Sequence, residues 1–439
     1  MVKYLDYEGL QKYDAKIKEL INSQSGDVDG VSYGIEFDTT VSSPTCTRIG
    51  NITMHRTLPV QSMMRGCLLN DDGNVVKYLD EADWTSETRD GSEGQVMVEI
   101  PEHYRMFETD GTKRRVRIST TEFSGSHKVP KVYVSAYEAA LDRTNDKLAS
   151  VVNTTAQYRG GNNTSSWDDT YRSLLGMPAT YYTRSKFRNY ARRRNSASTE
   201  WNINVQDVHK TIFWLFVVEY ATLNMQADYT AELTTDGYHQ GGLGAGVTTI
   251  SGSSWTSLNS GNPIVPCGAS DSLGNGTGVV TYNVLSSSGS TVYAAPVPRY
   301  RGIENIFGHI HKYTDGCNLV KTSSGWTAYT CSDPTYFDDS TSYYTEIGGL
   351  TVSSGYITKI LFGDTGGILP TATGGSSSTY FCDYVVNATG FYTGTMAAMA
   401  YGGDAHNDTS CGPLMFRTDF TTSTTNSGAG TRLCFIPNE

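Results

Sequence analysis

His309-Ile310-His311 is a place where residue types and spacing could do chemistry. In an extended strand residues i and i+2 share a face, so both imidazoles would project together as two ligands of a zinc site. A third ligand would have to come from His406 or His239, far along the chain, so the pair is read as interior or surface histidines. Asp364-Thr365-Gly366, after the apolar Ile360-Leu361-Phe362, has the form of a catalytic carboxylate in a turn. That chemistry needs two carboxylates sharing one proton, and the chain holds no second copy of the triplet, so Asp364 is read as a turn residue. Gly242-Leu243-Gly244-Ala245-Gly246 has the glycine density of a phosphate loop. It precedes Val247-Thr248-Thr249-Ile250 instead of a helix, so no helix N-terminus would face a phosphate. No Ser/His/Asp or Cys/His arrangement is legible locally. These residue types favour a binding protein over a catalyst.

The elements that must position such residues belong to a chain of 439 residues, enough for two or three domains. Charged residues make up 18%, while 29 tyrosines and 45 glycines accompany runs of Ser and Thr, a composition of strands and loops. A net charge of −11 opposes general affinity for nucleic acid or anionic membrane. The basic runs Lys113-Arg114-Arg115 and Arg192-Arg193-Arg194 are read as a solvated strand edge and a solvated helix end. The start MVKYLDYEGL lacks the apolar core of a secretory signal. The longest apolar run, Ile212 to Val218, has 7 residues, too few to insert in a membrane. Eight scattered cysteines without a C-x-x-C pair predict buried free thiols made in a reducing cytoplasm.

Along the chain, Leu10, Tyr13, Ile17 and Leu20 form an apolar seam on a helix over 7–23. Residues 1–25 are thus expected to be an attachment or oligomerisation helix, giving a homo-oligomer such as a trimer. Residues 26–125 are expected to form a small β-rich module. It holds one hairpin turning at Asn70-Asp71-Asp72-Gly73-Asn74 and another over Tyr104 to Ile118 turning at Asp110-Gly111. Ser185 caps a helix to Arg194, and Asn204 caps a helix from Val205 to Asn224 whose centre, Ile212 to Val218, is apolar all round, as for a helix inside a core. Short strands among Gly, Ser and Asn clusters follow from Thr230. The predicted class is α+β.

The segment Tyr300-Arg-Gly-Ile-Glu-Asn-Ile-Phe-Gly-His-Ile-His-Lys-Tyr-Thr-Asp-Gly316 resembles the G-N-V-W-E-W signature of the formylglycine-generating-enzyme type of C-type-lectin fold. It is more similar to the non-enzymatic relatives of that fold, the variable proteins of diversity-generating retroelements, with His309, His311 and Tyr313 at the positions of the usual Asn, Trp and Trp. Tyr133-Val134-Ser135-Ala136-Tyr137-Glu138 is similar to the opening strand of the family, and Gly402-Gly403, Cys411-Gly412-Pro413 and Gly430 to Phe435 look like its diversified segment and closing strand. The start Lys3-Tyr-Leu-Asp-Tyr7 is similar to tail proteins of gut bacteriophages. The resemblance implies a C-type-lectin-like domain over 126–439 with a variable segment at 401–427. Diversification at an AAY codon yields fifteen amino acids, and from Asp404 to Ser427, 23 of 24 residues belong to that set, Met415 being the exception.

The implied function is that of a phage tail or receptor-binding protein, located on the virion after synthesis in the host bacterial cytoplasm. It would bind a bacterial surface protein or glycan and contact other tail proteins, without nucleic acid or membrane insertion. The expected ligand-binding residues are Tyr401, Asp404, His406, Asn407, Asp408, Thr409, Phe416, Arg417, Asp419, Phe420 and Asn426, a mixture of hydrogen-bonding groups and rigid aromatic area. Gly402, Gly403 and Gly412 are expected to serve the backbone. No catalytic residue, metal or cofactor is assigned; a structural calcium ion is not derivable from sequence. The alternatives are a structural virion protein and an enzyme of the same fold, although Cys411 and Cys434 lie 23 apart where the enzymes use a close cysteine pair.

Overall fold

The strand Val132–Glu138 shows no polar alternation because both of its faces are covered. Val134 and Ala136 pack with Val96, Val98 and Val205 in one core cluster, while Tyr133 joins Met97, Trp201 and Ile203 in another on the opposite face. In this computed structural model, which describes residues 27–350 and 352–438, that strand lies near the middle of a 15-stranded sheet. The central order is Met396–Gly402, His311–Thr322, Trp201–Val205, Arg432–Phe435, Val132–Glu138, Gln95–Ile100 and Arg65–Leu69. The closing strand Arg432–Phe435 is thus zipped between two strands from earlier in the chain, with Phe435 opposite both Trp201 and Tyr133. The helix expected over 7–23, with its seam Leu10, Tyr13, Ile17 and Leu20, lies outside the described residues.

One face of the sheet is covered by the helix Gln206–Tyr220, whose residues Ile212 to Val218 are all buried, as its apolar circumference predicts. Its start differs from expectation. The strand Trp201–Val205 runs directly into the helix, and Asn204 makes no cap because its amide donates to Thr314 Oγ1 (2.8 Å) inside the sheet. The helix ends at Ala221 in a left-handed conformation instead of continuing to Asn224. Over this helix lies a five-stranded antiparallel sheet ordered Thr47–Gly50, Tyr33–Asp38, Lys113–Ser119, His103–Asp110, His127–Val129. Phe37 and Phe107 of that sheet meet Trp214 of the helix at ring-centroid distances of 6.3 and 5.9 Å.

Both predicted hairpins form, Arg65–Leu69 with Val75–Tyr78 and His103–Asp110 with Lys113–Ser119. They do not make a separate module over 26–125. Gln95–Ile100 pairs with Val132–Glu138, Val98 opposite Val134, and its residues are buried on both faces, so it needs the rest of the chain to cover it. Neither the main sheet nor the first core cluster breaks at 125/126. The fold is α+β, with 36% strand against 15% helix, so helices cover a framework that the sheet defines. No helix among the described residues is long and apolar enough to cross a membrane. All eight cysteines are free and seven are buried, Cys331 being half-buried.

The basic runs are committed within the chain. Lys113 and Arg115 both reach Glu36 at 2.7 Å, Arg193 reaches Asp146 at 2.6 Å, and Arg194 is paired with Asp71. The Asp364 turn is structural, since Trp214 Nε1 donates to Gly366 O (2.8 Å).

The second helix runs over Arg184–Arg192 and is capped by Thr183, not Ser185, through a hydrogen bond from Lys186 N. Ser185 already lies in its first turn. This helix is seated on the other face of the sheet by charge. Arg188 donates to both oxygens of the fully buried Asp315 (2.8 and 2.6 Å), and Arg184 and Arg188 share Asp339 Oδ1 (2.7 and 2.8 Å). Removing one member of a buried pair strands the other. Asp315→Ala is therefore expected to destabilise the protein by about 3 to 5 kcal/mol, seen as a lowered midpoint in urea. A loss below about 1 kcal/mol would show that this pair does not seat the helix.

Candidate functional site

The segment 300–316 turns sharply three times before it becomes a strand, with Arg301, Asn305 and His309 all at positive φ (48, 49 and 61°). His309 therefore does not lie on a strand face with His311, and the expected pairing of their imidazoles does not occur. His309 points to Glu138 at the end of the opening strand, while His311, first residue of His311–Thr322, points to Asp404. Among the described residues, no group of three or more metal-ligating side chains is gathered.

His309 is held on both nitrogens. Its Nε2 accepts from the backbone N–H groups of Ile264 (3.0 Å) and Val265 (3.1 Å), so that atom carries no proton and Nδ1 is the donor to Glu138 Oε2. The other oxygen of Glu138 lies 2.8 Å from Lys312 Nζ, which also donates to Gly308 O (2.7 Å). Burial pushes the Glu138 carboxyl up, but Lys312 and His309 outweigh it and hold the group down at about 2. The segment then carries the loop above it: Gly308 N donates to Gly402 O, and Ala405 N to His309 O.

That loop, between Met396–Gly402 and Gly412–Arg417, makes the close approaches its glycines predict. A Cβ on Gly403 would lie 2.5 Å from Cys411 Sγ, and one on Gly412 would lie 1.8 Å from an Asp383 oxygen. Asp404 sits inside the loop between two histidines, with His406 Nδ1 at 2.7 Å from Oδ1 and His311 Nε2 at 3.5 Å from Oδ2. Burial opposes ionisation of Asp404, yet the two neighbouring imidazoles, His406 in close contact and His311 further off, hold its carboxyl far below the usual range. Burial pushes His311 down, against Asp404, so the imidazole that balances the carboxylate is the half-exposed His406, raised first by its hydrogen bond to Asp404.

The expected ligand-binding residues divide by burial. Tyr401, Asp404, Phe416 and Phe420 are buried and are not surface contacts, which corrects the sequence reading. Tyr401 is fully enclosed, stacked on His209 (4.5 Å between centroids) and edge-on to Phe416. Phe420 packs edge-on against His311 at 5.1 Å. The apolar run Pro413-Leu414-Met415-Phe416 is a signal for such a buried strand.

His406, Asp408 and Thr409 are exposed, and Asn407, Arg417, Asp419 and Asn426 are half-buried. Arg417 forks onto Asp419 through Nε–Oδ1 (2.8 Å) and Nη2–Oδ2 (2.6 Å). The two stretches meet, because a Cβ on Gly428 would touch both Asn426 Oδ1 (3.4 Å) and Asp404 Oδ2 (3.5 Å). The result is one patch of donors and acceptors on a rigid support. Glu138, Lys312 and Asp383, which build that support, escaped the sequence reading because their partners are remote; Glu138 and His309 are 171 positions apart.

No protein-family model and no curated protein matches this chain.

The Asp404–His406 pair sets a pH window. With His406 raised, its contribution to holding the loop is complete below 6.5, the ordinary histidine value, and is lost as pH rises through its own higher midpoint. With Asp404 depressed, its contribution persists on the acid side until pH falls well below the ordinary aspartate range. A proton NMR titration is expected to place the His406 midpoint above 6.5, with Asp404→Asn bringing it back down. A wild-type midpoint at or below 6.5 would mean that the pair is open in solution.

Proposed function

We propose that this chain is a receptor-binding protein of a bacteriophage tail. In this reading the domain is of C-type-lectin type, related to the variable proteins of diversity-generating retroelements, and acts by binding and not by catalysis. Its receptor is a protein or glycan on the bacterial surface, and the particle displays it as a homo-oligomer among other tail proteins, so that weak single contacts gain avidity.

One observation carries the reading: the exposed His406, Asp408 and Thr409 and the half-buried Asn407, Arg417, Asp419 and Asn426 stand on a support whose charges are buried and paired. Binding residues on loops held by a rigid frame are the arrangement in which contacts change while the fold stays fixed. The side chains on offer, His406, Asn407, Asp408, Thr409, Arg417, Asp419 and Asn426, supply adaptable hydrogen bonding. The four buried residues of the original set supply the floor beneath them.

The test replaces Asp408, Thr409, Arg417 and Asn426 together by Ala, leaving His406 in place to balance Asp404, and measures adsorption to host cells. Adsorption is expected to fall by at least about tenfold, since truncating several contacts costs upwards of 1 kcal/mol, with the melting temperature nearly unchanged. Undiminished adsorption would place receptor contact elsewhere.

A further inference from the structure

Beside the helix Gly252–Asn259 lies a pocket of about 320 Å³ that the loops at 406–409 and 417–426 do not line. Its walls carry three aromatic rings, Trp167, Tyr171 and Tyr282, over an apolar floor that includes Leu174 and Ile264. Tyr171 is 50% exposed, yet its ring is placed: it rests on Gly289 at the tip of the hairpin formed by Gly278–Leu285 and Thr291–Tyr300, where a Cβ would come within 3.0 Å. Arg172 lies over Trp167 (4.6 Å) and is committed elsewhere, with Nε to Asp169 Oδ2 (2.8 Å) and Nη1 to Leu258 O (2.9 Å).

Asn259 braces the wall of this pocket from within. Asn259 is 6% exposed, and its Nδ2 donates to Pro263 O (2.9 Å), which fixes the orientation of the amide. Its Oδ1 is buried without a hydrogen-bond partner. The pocket also continues outward. It shares Arg172 and Leu258 with a shallower trough of about 380 Å³ lined by Ser253, Ser254 and Ser257 of the helix and by Ser286 and Ser287 of the hairpin tip.

We propose that this pocket and trough bind a neutral oligosaccharide. A hexose has an apolar C–H face that fits flat against aromatic rings and a rim of hydroxyls that donate and accept. The first matches Trp167, Tyr171 and Tyr282; the second matches the row of serines. The pocket accommodates one hexose, and the trough takes the units that follow. Charge decides between sugar classes. Asp169 and Arg172 neutralise one another, and Arg172 already donates through Nε and Nη1, so an acidic sugar meets no uncommitted cation here. The inference is separate from the receptor reading, because the loops at 406–409 and 417–426 do not line this pocket.

The experiment titrates the full chain, by calorimetry and tryptophan fluorescence, with neutral tetrasaccharides of glucose, galactose and mannose and with uronic-acid tetrasaccharides. At least one neutral sugar is expected to bind with Kd of about 1 mM or tighter. Tyr171→Ala and Tyr282→Ala should each weaken it by about tenfold. Tyr392→Ala, at an 87% exposed position outside the pocket, should leave it unchanged. Since Tyr171 is half-exposed, its removal leaves the fold intact and keeps the test decisive should Tyr282→Ala fail to fold. The proposal falls if no neutral sugar binds up to about 10 mM, if only uronic-acid sugars bind, or if Tyr171→Ala has no effect. Binding of a short peptide that no sugar displaces would also overturn it.

Discussion

A carboxylate buried at the end of a central strand cannot remain ionised without partners, and the rest of this molecule is arranged so that Glu138 has them. His309 and Lys312 supply a hydrogen bond and a charge from the 300–316 segment. The closing strand adds Arg432, whose guanidinium donates to Ser135 O (3.2 Å) and Asn305 O (2.7 Å). Three stretches far apart in sequence therefore meet around one charge. Each is needed by the other two, since losing any of them leaves a buried ion or a buried donor without a partner. Such a network contributes less to net stability than its contacts suggest, because desolvation offsets much of the attraction, but it penalises other arrangements of the same strands.

The constraint spreads outward through the neighbouring polar groups. Glu304 accepts from Gly268 N, Ser270 N and Ser270 Oγ, and burial beside Asp271 raises its carboxyl to about 7. Arg299 lies over Trp84 (4.0 Å) and donates to Asp271 Oδ1 (3.1 Å), while Asp271 Oδ2 receives Tyr137 (2.8 Å) and Arg89. One step further, Tyr300 and Arg301 close on Glu219 near the end of the core helix. The unusual turns at Arg301, Asn305 and His309 follow from this. The chain takes three non-glycine left-handed residues, besides Gly302 and Gly308, because it must deliver side chains in opposite directions within a few positions.

Local features of this fold were legible in the sequence and long-range ones were not. Asp-Gly turns and apolar runs located both hairpins and the core helix, since those signals depend on residues a few positions apart. The helix starts were misplaced for a similar reason: Asn204 looks like a cap until Thr314 is seen beside it. The histidine pair was misjudged because alternation assumes an extended backbone, and His309 leaves it. In the candidate site, polarity identified the exposed residues His406, Asp408 and Thr409. It failed for Tyr401 and Phe416, which are opposite one another in paired strands. An aromatic residue on a contact surface and one beneath it look the same until the pairing is known.

That division bears on how such a surface could vary. Tyr401, Asp404, Phe416 and Phe420 fill space or balance charge in the frame, and removing a buried ring costs about 3 to 5 kcal/mol. The half-buried polar groups bond mainly to each other or to nearby backbone: Arg417 to Asp419, Asn407 to Asp404 N, Asn426 to Gly428 N. Replacing one of them loses a partly solvated interaction of about 1 kcal/mol. Within 401–427, therefore, the free energy of folding and the capacity for contact reside on different side chains. A receptor approaching this patch must compete with pairs already formed, so each single contact is weak. The same property lets its residues change without unfolding the sheet that carries them.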